Sequence, residues 1–297
     1  AMHAQGGLPI PGIVHIGQPY WFECGGELTA EEFGLQAARE LEQKILELGP
    51  ENVAAFIGEP VQGAGGVIIP PTTYWPEIQR IVDRYGILFA SDEVICGFGR
   101  TGQWFGCEHY GTRPDFMTLA KAITSGYLPL GALMVGERVA DVLIREGGEF
   151  AHGYTYSAHP LGAAAALANI QIIEEEGLCA NATEVGAYLL QQLRERLAGN
   201  PLVGDVRGAG LLQAVEFVAE GPPRRRLDAT LKFSAQVAAF AMEEGLLARP
   251  LPVNDIVGIS PPLMLTRSDA DQVAEMLQRA ITRASAMLST EQRRGTA

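Results

Sequence analysis

The chain of 297 residues is long enough for two domains, and 47% hydrophobic residues with 35 glycines and 18 prolines are typical of an α/β protein. The formal net charge of −13 and the pI near 4.9 disfavour nucleic acid and anionic membrane surfaces as partners, because both are polyanions. Small metabolites are therefore the expected partners.

The four cysteines predict neither a disulfide framework nor a zinc site. They are Cys24, Cys96, Cys107 and Cys179, with no CxxC pair and no histidine cluster at metal spacing. This usage predicts a reducing, cytoplasmic environment. The apolar stretch at residues 161–170 is far too short for a membrane span, so no membrane partner is expected.

The first predicted helix begins at the capping box Thr29 to Glu32. Its apolar side chains recur every four residues and predict one buried face, formed by Phe33, Ala37, Leu41 and Ile45. A strand over 53–57 follows, and its continuous apolar character predicts burial on both faces. A second helix is predicted over 73–85, with a second strand over 87–90.

Apolar runs at 116–120 and 131–135 predict two more strands, so residues 1–158 are expected to form the second half of a large α/β domain with a mostly parallel sheet. Residues 159–180 contain an alanine-rich linking helix. Residues 181–297 predict a small α+β domain, with helices over 181–198, 230–244 and 268–288 and strands over 210–218 and 256–260. Segment 222–226 and the tail from Thr290 are expected to be mobile surface segments.

Charged side chains follow consecutive predicted strands in order. Glu59 comes after the first strand, Asp92 and Glu93 after the second, and Lys121 closes the third. Open parallel sheets bind ligands at the carboxyl ends of their strands, so these side chains are expected to face one crevice. A carboxylate together with an amine suits pyridoxal phosphate, because a lysine forms the imine and a carboxylate pairs with the pyridinium nitrogen.

Four motifs at these positions resemble the class III pyridoxal-phosphate-dependent aminotransferases, in the order and spacing of that family. They are GEPVQG at 58–63, DEVICGFGRTG at 92–102, AKAITSGYLP at 120–129 and YTYSAHP at 154–160. The resemblance covers the whole chain and implies fold type I. It is nearest to the omega-aminotransferases, which move amino groups from diamines, polyamines or beta-alanine to pyruvate.

The resemblance also implies roles for individual residues toward the cofactor. Lys121 is expected to form the Schiff base and to carry protons, Asp92 to pair with the pyridine nitrogen, and Val94 to pack against the ring. Glu59 and Gln62 are expected to line the cofactor pocket beside the ring.

Two further roles concern the partner subunit and the substrate. Thr155 is expected to contact the cofactor phosphate of the neighbouring subunit, which implies a homodimer. Arg249, in the sequence LARP, stands where relatives place a mobile arginine for the substrate carboxylate.

The chain departs from the family pattern in three places. Ala122 and Ala158 stand where glycine is usual, which would strain a backbone that needs positive φ. The glycine- and serine-rich loop that binds the cofactor phosphate has no counterpart. Because residues 1–11 also read as a glycine- and proline-rich loop, the sequence is predicted to be an N-terminally truncated portion of a longer chain, one that by itself holds the cofactor weakly.

Three other interpretations remain open. Residues 97–102 match GxGxxG, the dinucleotide-binding pattern, but residues 103–111 do not predict the helix that this motif requires. An aminomutase, epimerase or decarboxylase would share Lys121 and Asp92. A non-catalytic remnant would be consistent with the absent phosphate loop.

Overall fold

The computed structural model describes residues 10–221 and 225–294. Helix α1 (Trp21–Cys24) precedes α2 (Ala30–Leu48), whose first turn forms the predicted capping box: Thr29 Oγ1 accepts from Glu32 N at 3.3 Å, and the Glu32 carboxylate accepts from Thr29 N at 3.0 Å. Helix α3 (Tyr74–Tyr85) ends at Gly86, which has a φ of 67°. The predicted apolar face of α2 packs on α3 and Phe89 in one buried cluster.

The first sheet has the order β1-β2-β3-β4, with β1 at Ala55–Gly58, β2 at Leu88–Asp92, β3 at Phe116–Leu119 and β4 at Ala132–Val135. Strands β1, β2 and β3 are parallel, and β4 runs antiparallel to β3. The predicted mostly parallel sheet is therefore confirmed. Its three parallel strands bring their carboxyl ends to one edge.

Strand β1 is half-buried on one face and exposed on the other, so the prediction of burial on both faces is wrong. Phe56 packs against the cluster of α2 and α3, whereas Ile57, on the opposite face, is 61% exposed. Helix α4 (Gly106–His109) follows β2, and helix α5 (Glu137–Glu146), which the sequence analysis missed, follows β4.

The second sheet has the order β5-β6-β8-β7 and is antiparallel throughout. Its strands are β5 (Val203–Ala209), β6 (Leu212–Phe217), β7 (Arg249–Pro250) and β8 (Ile256–Ile259). The single strand predicted over 210–218 is wrong at its start, because Gly210, with a φ of 53°, lies in the turn between β5 and β6. A large core joins this sheet to its helices.

The helices of the second region are α6 (Pro160–Glu175), α7 (Leu178–Leu197), α8 (Phe233–Glu243), α9 (Arg267–Met287) and α10 (Thr290–Arg294). Gly177, with a φ of 62°, separates α6 from α7, so α7 begins before the predicted residue 181. The tail was expected to be mobile from Thr290, but it starts as a helix. Residues 1–9, 222–224 and 295–297, which include parts of the predicted loop segments, lie outside the described residues.

A buried arginine joins the second sheet to the loop that follows β1 and to Tyr20. Arg207 of β5 is 7% exposed, and its guanidinium donates to five groups: the carbonyls of Val67 (2.9 Å) and Gly66 (2.6 Å), the Tyr20 hydroxyl (3.1 Å), Asp205 (2.9 Å) and Glu216 (2.7 Å). The Glu216 carboxylate also accepts from the Tyr20 hydroxyl. Such a network stabilises a fold only while every member has its partner.

None of the described helices combines the length and the apolar character that a bilayer crossing requires.

Candidate functional site

The structure brings three of the predicted site residues to the carboxyl edge of the first sheet. Glu59 directly follows β1, Asp92 ends β2, and Lys121 lies two residues beyond β3. The charges of Asp92 and Lys121 both act on the Glu59 carboxyl, Asp92 raising its pKa and Lys121 lowering it. The two carboxylates of Glu59 and Asp92 and the amine of Lys121 therefore lie at one edge of the sheet, in the predicted order.

Asp92 is held in one orientation by its own strand neighbours. Its Oδ1 accepts from the Val94 backbone N–H at 3.1 Å and from the Thr118 hydroxyl at 3.1 Å. Thr118 is the residue that pairs with Asp92 in the parallel β2–β3 register. No described residue bonds Oδ2, so this oxygen is available to accept from a ligand. Val94, half-buried, lies beside that carboxylate.

Lys121 begins a 3₁₀ turn, Lys121–Thr124, and has a φ of 45°. A residue with a Cβ rarely adopts this left-handed region, and such strain is found most often at functional sites. The residue is exposed. The sharp change of chain direction therefore presents the lysine at the sheet edge instead of burying it in the core.

Glu59 and Gln62 belong to one tight loop. The Glu59 carboxylate accepts from Gly63 N at 3.0 Å, and burial is the main cause that raises its pKa above the ordinary 4.5. Gln62 exchanges backbone hydrogen bonds with Ile68, and its Oε1 accepts from Gln18 Nε2 at 2.7 Å. Gln18 was not predicted as a site residue, because no local pattern links it to a residue 44 positions away.

Glu93 does not belong to the site, although it follows Asp92 directly. Its side chain is 1% exposed and accepts from Gly106 N (2.7 Å), Cys107 N (2.7 Å) and Ser91 Oγ (3.0 Å). Burial raises its pKa. Glu93 thus fixes the start of α4, while its neighbour Asp92 stays at the carboxyl edge of the sheet.

The glycine-rich segment 97–102 packs against residues of the second region and does not form a dinucleotide site. Arg100 Nη1 donates to the carbonyls of Leu211 (2.9 Å) and Pro261 (2.6 Å), and burial lowers the pKa of Arg100 to about 10. A Cβ on Gly102 would lie 2.4 Å from Thr183 Oγ1. The helix that follows, α4, has four residues, too few for a phosphate-binding helix N-terminus.

Thr155 and Arg249 stand apart from these groups. Both are exposed, and no hydrogen bond or ion pair among the described residues links either one to Glu59, Asp92 or Lys121. Arg249 lies on β7 at the edge of the second sheet, opposite Gly258. Of the two alanines that replace glycine, Ala158 has a φ of 57°, whereas Ala122 lies outside the left-handed region.

The described side chains fit the pyridine end of pyridoxal phosphate. The free Oδ2 of a fixed aspartate suits a protonated ring nitrogen, and an exposed lysine at the same sheet edge suits the aldehyde. The one hydroxyl proposed for the phosphate, that of Thr155, is exposed and is not joined to the other groups within this chain.

Comparisons with known proteins agree with this chemistry. The family described as aminotransferase class-III matches residues 3–281. A putrescine–pyruvate aminotransferase of Pseudomonas aeruginosa is 49% identical over 96% of this chain and 62% of its own length. A diaminobutyrate–2-oxoglutarate transaminase of Halomonas elongata is 46% identical over 98% of this chain and 63% of its own length.

Solved structures of transaminases are similar along nearly the whole chain. An (S)-enantioselective omega-transaminase of Thermomicrobium roseum superposes with a TM-score of 0.89 and 43% identity, over 95% of this chain and 62% of that one. A transaminase obtained by ancestral reconstruction gives 0.94 and 46% identity, over 97% and 64%. The chain therefore spans less than two thirds of the length of these relatives.

Proposed function

The chain belongs to the class III aminotransferase family, and from this membership we propose that the protein containing it transfers an amino group from an amine to a ketoacid with pyridoxal phosphate as cofactor. The observation that carries the proposal is the fixed Asp92 carboxylate, with one free oxygen, beside Glu59 and Lys121. When bound, the cofactor supplies an electron sink for the carbon that carries the amine.

Each residue at the sheet edge has a distinct task in this proposal. The Asp92 Oδ2 accepts from the protonated ring nitrogen and keeps it charged, while Val94 packs against the ring. The Lys121 Nζ holds the cofactor and, once released, moves a proton at the substrate carbon. Glu59 and Gln62 line the pocket beside the ring, where burial raises the pKa of the Glu59 carboxyl above its ordinary 4.5.

We propose an omega-amine, such as a diamine, a polyamine or an omega-amino acid, as the donor and pyruvate as the acceptor. The similarity to the putrescine–pyruvate enzyme supports this pair. The diaminobutyrate–2-oxoglutarate relative makes 2-oxoglutarate the second candidate acceptor, since its identity to this chain is nearly as high. Arg249 would bind the acceptor carboxylate in either case.

We also propose that the protein acts as a homodimer in the cytoplasm. Thr155 lies in an exposed segment between Tyr154 (76% exposed) and Tyr156 (81% exposed), and such large exposed aromatic side chains favour a protein partner. Thr155 would reach the cofactor phosphate of the neighbouring subunit. The domain division predicted from the sequence, with a large domain to residue 158 and a small one from residue 181, belongs to the same proposal.

The test uses the full-length protein with putrescine and pyruvate. We expect visible absorbance from bound cofactor, ping-pong kinetics, and borohydride reduction that attaches the cofactor to the peptide carrying Lys121. The variant Lys121→Ala should lose both the attachment and turnover. Protein that takes up no cofactor, or carries it on another residue, would contradict the proposal. An amino group that returns to the same molecule would favour an aminomutase.

A further inference from the structure

Asn169 is a polar residue on the apolar face of α6 that packs against the turn carrying Lys121. That face is formed by Ala166, Asn169, Ile170 and Ile173, which recur at helical spacing and contact the cluster around Ile123. Asn169 is partly buried, and withdrawing a side-chain amide from water costs free energy unless its donors and acceptor are hydrogen-bonded. The partners of this amide therefore show why an asparagine stands there.

The Asn169 amide is bonded entirely to the turn. Its Nδ2 donates to the carbonyls of Ala122 (2.8 Å) and Ile123 (3.2 Å), and its Oδ1 accepts from the Ser125 hydroxyl at 2.6 Å. One side chain thus bonds to three of the four residues that follow Lys121. No other described side chain of α6 hydrogen-bonds to this segment.

The segment that Asn169 holds is strained at both ends. Lys121 has a φ of 45° and Ser125 a φ of 49°, a conformation that persists in residues with a Cβ only when surrounding contacts impose it. The turn's own backbone contributes hydrogen bonds from Ile123 N to Ala120 O and from Ser125 N to Ala122 O. Asn169 adds the tertiary contacts that tie these residues to a long helix.

We propose that Asn169 is a positioning residue for Lys121. By fixing the carbonyls of the two residues after Lys121, it fixes the direction in which the lysine side chain leaves the sheet edge. Without Asn169 the turn relaxes, and Nζ spends less time in the geometry that reaction requires. The proposal rests on the proposed function of Lys121. It predicts a loss in kcat with little change in KM, because Asn169 touches no substrate.

The test compares Asn169→Leu with Asn181→Leu in the full-length protein. Leucine has nearly the shape of asparagine and suits the apolar face, so the fold should survive. Asn181 is a matched control, because its Nδ2 donates to two carbonyls of another segment, Leu263 (2.6 Å) and Leu265 (3.1 Å). The first readout is amide hydrogen exchange of residues 121–127 in cofactor-free protein, and the second is kcat and KM for both substrates.

For Asn169→Leu we expect exchange in 121–127 to become at least about tenfold faster, because the substitution removes all three hydrogen bonds between Asn169 and the turn. We also expect kcat to fall at least about tenfold, with both KM values within about twofold. Asn181→Leu should leave all of these values as in the parent protein. Ser125→Ala, which removes only the hydroxyl bond to Asn169, should move exchange and kcat in the same direction by about threefold.

Equal exchange of 121–127 in the two leucine variants would overturn the proposal, and so would faster exchange with an unchanged kcat. If Asn169→Leu failed to fold, Ser125→Ala with unchanged exchange would overturn it instead. Failure of the proposed function looks different, because the unsubstituted protein would then lack transamination while exchange of the turn still responded to Asn169→Leu.

Discussion

Replacing Asp92 by asparagine tests the pyridine partner with a change of one side-chain atom. Oδ1 of Asp92 already accepts from Val94 N and from Thr118 Oγ1, both at 3.1 Å. An asparagine must keep its oxygen at that position to satisfy these two donors. Its NH₂ group then points toward the place of the ring nitrogen, where an acceptor is required. The substitution therefore removes the negative charge of the carboxylate. It also places the NH₂ donor of the asparagine against the N–H donor of the ring.

The expected loss follows from these two effects. A hydrogen bond to a charged group contributes about 1.5–3 kcal/mol, and a buried donor left unsatisfied costs about 1–3 kcal/mol. Together they amount to roughly 3–6 kcal/mol, which at about 1.4 kcal/mol per factor of ten corresponds to a fall in kcat of about 10²–10⁴. Cofactor binding should weaken less, because Lys121 still attaches it.

The assay measures kcat with putrescine and pyruvate, together with cofactor absorbance, for full-length Asp92→Asn. The matched control is Thr118→Val, which keeps the carboxylate and its charge but removes one of the two bonds to Oδ1. We expect Thr118→Val to lose clearly less than Asp92→Asn, because the charge of Asp92 and its bond from Val94 N both remain. If Asp92→Asn kept more than a tenth of the parent rate, or matched Thr118→Val, another residue would hold the ring nitrogen.

Three other perturbations test separate parts of the molecule. Arg249→Ala should raise the KM for pyruvate far more than the KM for the amine, and equal effects in steady-state kinetics would contradict the carboxylate clamp. Arg207→Met should lower the free energy of unfolding by about 3–5 kcal/mol in urea titrations, because it leaves a buried carboxylate unpaired. The exposed Arg283→Met should cost less than about 1 kcal/mol, and similar costs for the two would refute the role of Arg207. The raised pKa of Glu59 adds stability that is present below its ordinary value of 4.5 and is lost as pH rises through the higher folded value. Glu59→Gln should flatten that part of the stability curve measured by thermal unfolding, and an unchanged curve would contradict the raised pKa.

Local sequence patterns determined most of the first region. The capping box at Thr29 and the recurring apolar residues fixed α2, because a helix buries one stripe at a short repeat. Apolar runs placed β1 to β4, and the residues that follow them, Glu59, Asp92 and Lys121, could be read as neighbours, because parallel strands bring their carboxyl ends together. The four motifs by themselves indicated the family.

Other features depended on contacts that no local pattern contains. Asp92 and Glu93 are adjacent acidic residues at the end of β2, yet Asp92 bonds to Val94 and Thr118 at the sheet edge, whereas Glu93 is buried and caps α4. Successive residues of an extended chain point to opposite faces. The exposed face of β1 depended on which helices cover the sheet. Residues 203–217 form two antiparallel strands because the chain turns back at Gly210, which has a left-handed backbone.

The conformation of the turn that carries Lys121, and the hydrogen bonds that hold it, were likewise decided by the tertiary structure. The place of Lys121 at the sheet edge was predictable from the sequence, but the left-handed backbone at Lys121 and the amide of Asn169 that bonds to its turn were not. Asn169 lies 47 residues from the carbonyl of Ala122, on a helix whose composition indicates only an apolar face. The spacing of apolar residues predicts which face of each segment is covered. The hydrogen-bond partners of a partly buried polar residue such as Asn169 are determined only when distant segments pack together.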